Sequence, residues 1–152
     1  MALQQVIAGI DNENQIRLEC EITGLYKATS YGAIVDTGFS GGLVLPQVIA
    51  VDIGLETVGA GNVTLADGSI RTLPMYMCKV KIGDVIQETD TLVMGNDVLI
   101  GMNVIDQFTL IVNGPKGQVS VEGAESAAGI RNALIQNPHD RLVNTLKKLT
   151  GR

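Results

Sequence analysis

The sequence predicts an all-β domain over residues 1–122 followed by a helical C-terminal extension over residues 123–152. Two observations carry this. Up to about Val121 the chain is a succession of short β-rich runs punctuated by Gly, Asn and Asp, with helical periodicity nearly absent. After Gly123 the character changes: Ala124 to Asn137 is Ala-rich, and Leu142, Val143, Leu146 and Leu149 recur at helical spacing.

Taken in order, the expected strands are Gln4 to Ile10, Ile16 to Ile22, Tyr31 to Val35, Gly42 to Leu45, Val63 to Leu65, Ile70 to Ile82, Asp84 to Val93, Phe108 to Val112 and Gln118 to Val121. Gly83-Asp84 and Asn113-Gly114 read as hairpin punctuation. Gly101 to Asp106 is expected to form a short helix after a buried run. In the extension, Asn137 suits an N-cap with Pro138 at the first helical position, and Lys147 and Lys148 suit the last turn.

Composition narrows the function. The 152 residues match one domain, and 45% hydrophobic against 18% charged residues allow a packed core. A net charge of −5 without a dense Lys/Arg cluster argues against nucleic acid as a partner. The N-terminus lacks the charged start and long apolar run of a secretory signal, and no later run is long enough for a bilayer. The expectation is a cytoplasmic protein without a membrane partner. Cys20 and Cys78 each fall inside an expected strand and read as buried, reduced thiols. With His139 as the single histidine, no metal site or Ser-His-Asp triad is expected, and no cofactor is required. Met75, Met77, Met94 and Met102 read as core filler, while Asp52, Asp84, Asp90, Asp97 and Asp106 read as exposed residues near turns or strand ends.

The segment that carries chemistry is Ala33-Ile34-Val35-Asp36-Thr37-Gly38. A carboxylate closing a buried aliphatic strand is costly unless donors meet it, so Asp36 demands hydrogen bonds nearby. Gly38 has no Cβ and lets its backbone N–H approach closely. Thr37 brings a hydroxyl able to brace the loop. Such a tripeptide alone is also compatible with a simple hairpin turn.

Its company is more specific. Over most of residues 1 to 121 the sequence resembles the retropepsin-like (clan AA) aspartic proteases of the small, single-domain prokaryotic type. Three elements match in order. Ala33 to Gly38, continuing through Phe39-Ser40-Gly41-Gly42-Leu43-Val44-Leu45-Pro46, is similar to the strand and loop around the family's catalytic Asp. Val63-Thr64-Leu65-Ala66-Asp67-Gly68-Ser69-Ile70 resembles the flap hairpin that covers substrate, with Leu65 where pepsin-like enzymes usually carry a Tyr; Gly59-Ala60-Gly61 is an alternative flap tip. Leu99-Ile100-Gly101 followed by Met102-Asn103-Val104-Ile105 is similar to the strand and short helix that pack behind the catalytic loop. The extension after Gly123 lies outside the resemblance.

The resemblance implies a closed acid-protease β-barrel, Asp36 as the catalytic residue, Thr37 and Gly38 as loop support, Leu65, Ala66, Asp67, Gly68 and Ser69 as flap, and Leu99, Ile100 and Gly101 behind the cleft. The chemistry it implies needs two carboxylates sharing a proton. The chain contains a single Asp-Thr-Gly and no internal repeat, so the second Asp36 is expected from another copy in a homodimer, acting on a peptide or protein substrate. The alternative is the same fold used as a binding or dimerisation module with little or no proteolysis.

Overall fold

Hydrophobic alternation sets the frame of the molecule. The computed structural model describes residues 6–123 of the chain. Gln4, Gln5 and the extension expected to be helical, with Asn137, Pro138, His139 and the Leu142 to Leu149 stripe, lie outside the described residues. Ten strands and two short helices follow one another as β1 (Ala8–Ile10), β2 (Ile16–Thr23), β3 (Ala28–Val35), β4 (Leu43–Leu45), α1 (Gln47–Ile53), β5 (Thr57–Thr64), β6 (Ile70–Ile82), β7 (Val85–Val93), β8 (Leu99–Ile100), α2 (Met102–Ile105), β9 (Thr109–Asn113) and β10 (Gln118–Glu122). Among these residues no helix is long and apolar enough to cross a membrane.

In β2, Leu18, Cys20 and Ile22 point inward while Glu19 and Glu21 face out; in β6, Cys78, Val80 and Ile82 do the same. Eight strands form one sheet in the order β1-β2-β3-β8-β4-β7-β6-β5. An additional antiparallel seam between β2 and β6 joins Glu21 to Lys81, Ile22 to Val80 and Thr23 to Lys79, and it bends the six central strands into a ring. The expected closed barrel is therefore present but uneven: this seam is three residue pairs long and β8 contributes only two residues. β9 and β10 form a separate hairpin sheet.

The middle of the ring is parallel where it matters most. β3 runs parallel to β8 (Ile34 opposite Leu99, Val35 opposite Ile100), and β4 runs parallel to β7 (Leu43 opposite Thr91, Val44 opposite Leu92). Ala33–Val35 and Leu43–Leu45 are each buried without alternation, as strands covered on both faces are.

Both expected hairpins form. Gly83, at φ 57°, takes the first position of a two-residue turn between Ile82 and Val85, which suits a II′ geometry. The Asn113 side chain accepts from Lys116 N–H at 3.2 Å across the β9–β10 turn.

Several elements differ from expectation. The first strand is shorter, beginning at Ala8. The strand expected at Val63–Leu65 is an eight-residue strand, Thr57–Thr64, with Leu65 beyond its end. Its glycines disfavour extended structure in isolation, and pairing with β6 overrides that preference despite an irregularity between Thr57 and Gly59. Gly59-Ala60-Gly61 thus lies within the ladder and is not a hairpin tip. Helix α1 was not expected at all, because Gln-Val-Ile-Ala-Val-Asp-Ile is rich in β-branched residues. Its signals are the Pro46 before it and the Gly54 after it, left-handed at φ 76° and donating to Ala50 O. The methionines are not core filler: Met77, Met94 and Met102 are 44%, 37% and 37% exposed, and Met75 is half-buried.

Cys20 and Cys78 are free and buried, as read from the sequence. Burial pushes the Cys20 thiol up to about 12, with Cys78 and Glu19 adding to the effect. Burial likewise pushes Cys78 up to about 11, partly offset by its contact with the Thr91 hydroxyl at 3.0 Å. Because the thiolate is the reactive form, neither cysteine should react with a disulfide reagent in the native protein at pH 8, whereas both should react once urea unfolds it.

Candidate active site

Asp36 is the first residue beyond β3, and the neighbouring strand determines its backbone position. Ile34 N–H donates to Val98 O at 2.8 Å, and Asp36 N–H donates to Ile100 O at 2.9 Å. The parallel β3–β8 pairing thus continues one step past the strand and holds the main chain of Asp36. The chain then turns, with Phe39 N–H reaching Asp36 O at 3.2 Å. The donor that the half-buried carboxylate demands is present: Asp36 Oδ1 accepts the Gly38 N–H at 2.9 Å. Thr37 and Gly38 are exposed at the loop surface.

This turn does not close a hairpin. β3 and β4, on its two sides, are not neighbours, since β8 lies between them. A loop that leaves one strand and re-enters the sheet two places away has room to present a side chain at the strand ends, which a tight hairpin lacks.

Leu99, Ile100 and Gly101 lead into a segment whose backbone bonds to this loop. Ile100 is fully buried and Leu99 half-buried. Gly101 N–H donates to Gly42 O at 2.8 Å, Met102 N–H to Phe39 O at 2.8 Å and Asn103 N–H to Gly41 O at 3.1 Å. A Cβ on Gly101 would lie 2.2 Å from Gly41 O and 2.5 Å from the Phe39 ring, so only glycine permits this approach.

Leu65 to Ser69 form the tip of the β5–β6 hairpin. Leu65 N–H donates to Ser69 O at 2.8 Å and Gly68 N–H to Leu65 O at 2.9 Å, with Gly68 at φ 84°. Asp67 Oδ1 accepts both the Ser69 hydroxyl at 2.6 Å and the Ser69 N–H at 2.9 Å, and these bonds hold its carboxyl below the usual range. Ala66 to Ser69 are exposed and Leu65 is half-buried. These bonds close on the tip itself.

Four residues around the loop carry no site role in the sequence analysis: Phe39, Gly41, Asp90 and Asn103. Asp90 was expected near a strand end and solvated. It lies inside β7, part-buried, with Oδ2 accepting Gly42 N–H at 3.0 Å and Oδ1 accepting Asn103 Nδ2 at 3.0 Å and the Thr89 hydroxyl at 3.2 Å. The available signal was its place at the centre of an apolar-bounded strand, where a charge needs a partner.

A family model described as aspartyl protease matches residues 18–104, a stretch that runs from β2 into α2. The chain belongs to the retropepsin-like aspartyl protease family. No curated protein matches it at a significant level. For this aspartyl protease family member, the matched stretch takes in Asp36-Thr37-Gly38, the β5–β6 tip and Leu99-Ile100-Gly101, and it ends before β9 and β10. Membership supports an aspartic protease type of function and a peptide substrate.

Proposed function

We propose that this protein is an aspartic endopeptidase whose catalytic dyad is Asp36 of two copies of the chain, met across a two-fold axis. The observation that supports it most is the Asp36 loop: one half-buried carboxylate, hydrogen-bonded to Gly38 N–H, at the end of a strand whose partner strand fixes its main chain. Two such carboxylates brought together share one proton. The ionised member takes a proton from water as the water attacks the peptide carbonyl. The protonated member donates to the carbonyl oxygen, and the resulting intermediate collapses as the leaving nitrogen gains a proton. Thr37 and Gly38 support the loop, and the Leu65–Ser69 tip acts as a flap closing over an extended peptide. A single copy has one Asp-Thr-Gly, so the reading requires the homodimer.

The test is cleavage of a mixed peptide library with and without a statine-type inhibitor. Inhibitor-sensitive cleavage supports the protease; a folded protein that binds peptides without cutting them supports a binding module instead. The shared proton also sets the direction of the pH dependence. Activity should peak on the acid side of neutral and fall as rising pH strips the dyad of its proton. Activity that stays level through alkaline pH would contradict the dyad.

A further inference from the structure

The loop that begins at Asp36 ends in a peptide unit with no side chain on either residue, yet both of its polar atoms are taken. Gly41 O accepts the Asn103 backbone N–H at 3.1 Å, and Gly42 N–H donates to Asp90 Oδ2 at 3.0 Å. The two partners are themselves joined, because Asn103 Nδ2 donates to Asp90 Oδ1 at 3.0 Å. The Gly41–Gly42 peptide is therefore held at its oxygen and at its nitrogen by one closed circuit, with Asn103 contributing both its backbone and its side chain.

A side chain is crowded at both positions, against backbone at Gly42 and against the Phe39 ring at Gly41. A Cβ on Gly42 would lie 1.9 Å from Thr89 Oγ1 and 2.6 Å from Asp90 O; one on Gly41 would lie 2.5 Å from the Phe39 ring and 2.9 Å from Asp90 Oδ2. Yet two glycines in succession leave the peptide between them able to flip, since each tolerates either sign of φ. Close approach and orientational certainty conflict here, and the circuit resolves the conflict. A carboxylate suits this role because it only accepts and has lone pairs for several converging donors.

We propose that Asp90 is a positioning residue for Asp36: together with Asn103 it locks the orientation of the Gly41–Gly42 peptide and so fixes the loop that aims the Asp36 carboxylate. This rests on the proteolytic reading above. The full chain is compared as wild type, D90A, N103D and the exchanged pair D90N/N103D. Two quantities are measured: kcat and KM on a peptide that the wild type cuts, and amide hydrogen exchange at Gly42 in 15N-labelled protein.

D90A should lower kcat by about 10–100-fold, as expected for a misaimed catalytic group, with KM changed by less than about threefold. Gly42 exchange should quicken by at least about tenfold on losing its acceptor. N103D sets two carboxylates against each other and should also lower kcat. D90N/N103D restores an amide facing a carboxylate, with the new amide oxygen available to Gly42 N–H, and should recover kcat to within about fivefold of wild type. Faster Gly42 exchange without a fall in kcat overturns the proposal, as does a double variant no better than N103D. If D90A does not fold, the N103D and D90N/N103D pair decides alone. A wild type that cuts no peptide defeats the proteolytic reading instead, and Gly42 exchange then still judges whether the circuit holds the peptide.

Discussion

Asp36→Asn should remove peptide cleavage, lowering kcat by at least about 10³-fold, while leaving the fold and the proposed dimer in place. The amide is nearly the same size as the carboxylate, and its oxygen can still accept the Gly38 N–H that Asp36 Oδ1 accepts at 2.9 Å. The backbone bond from residue 36 to Ile100 O does not involve the side chain. What disappears is the capacity to exchange a proton with water, and in the proposed two-fold dimer it disappears from both halves of the dyad at once. Cleavage assays on the purified variant, with size-exclusion chromatography and thermal melting beside them, separate the two effects. Retained proteolysis at wild-type size and stability would sink the assignment of Asp36. A variant that falls apart would instead show that the carboxylate is needed for assembly.

A large effect from a single methyl group is expected at Gly101. Gly101→Ala places a Cβ 2.2 Å from Gly41 O, 2.5 Å from the Phe39 ring and 2.9 Å from Phe39 O. Two of these contacts are backbone atoms on a loop tied down by Met102 and Asn103 N–H groups, so the clash cannot be relieved by turning a side chain. Either the loop moves away or α2 does. Overpacking of this kind costs about 1–3 kcal/mol, and the closeness of the backbone contacts places G101A at about 3 kcal/mol. A urea titration should show a lower midpoint with an unchanged slope, and proteolysis should fall further than the remaining folded fraction explains. A variant as stable as the wild type would mean that the loop and α2 are not packed as described.

Much of the frame was legible because alternation writes it into single strands. Leu18 to Ile22 and Cys78 to Ile82 alternate inward and outward, and turn chemistry at Gly83-Asp84 fixes a register locally. What failed was governed by partners far along the chain. Thr57–Thr64 carries glycines that argue against a strand, and only β6 makes it one. The residues of α1 favour extended structure, and the helix rests on the buried Ala50 and Ile53 with Pro46 and Gly54 as its limits. The site divides in the same way. Asp36-Thr37-Gly38 and Leu99-Ile100-Gly101 are contiguous patterns and could be read. Asp90 was passed over because its meaning comes from register: Leu43 lies opposite Thr91, which brings Gly42 beside Asp90. No spacing rule within one segment contains that information.

The seating of Asp36 on Ile100 O also orders events during synthesis. The loop is made early, but the strand that receives it emerges only after β4, α1 and the whole β5–β6–β7 meander. Pairings between such distant segments are slow, since most of the chain must be ordered before they are rewarded. A nascent chain therefore carries its Asp-Thr-Gly through the synthesis of all these elements without the support that fixes it. On the proposed function, competence to cut arrives late, after the rest of the ring exists to receive β8.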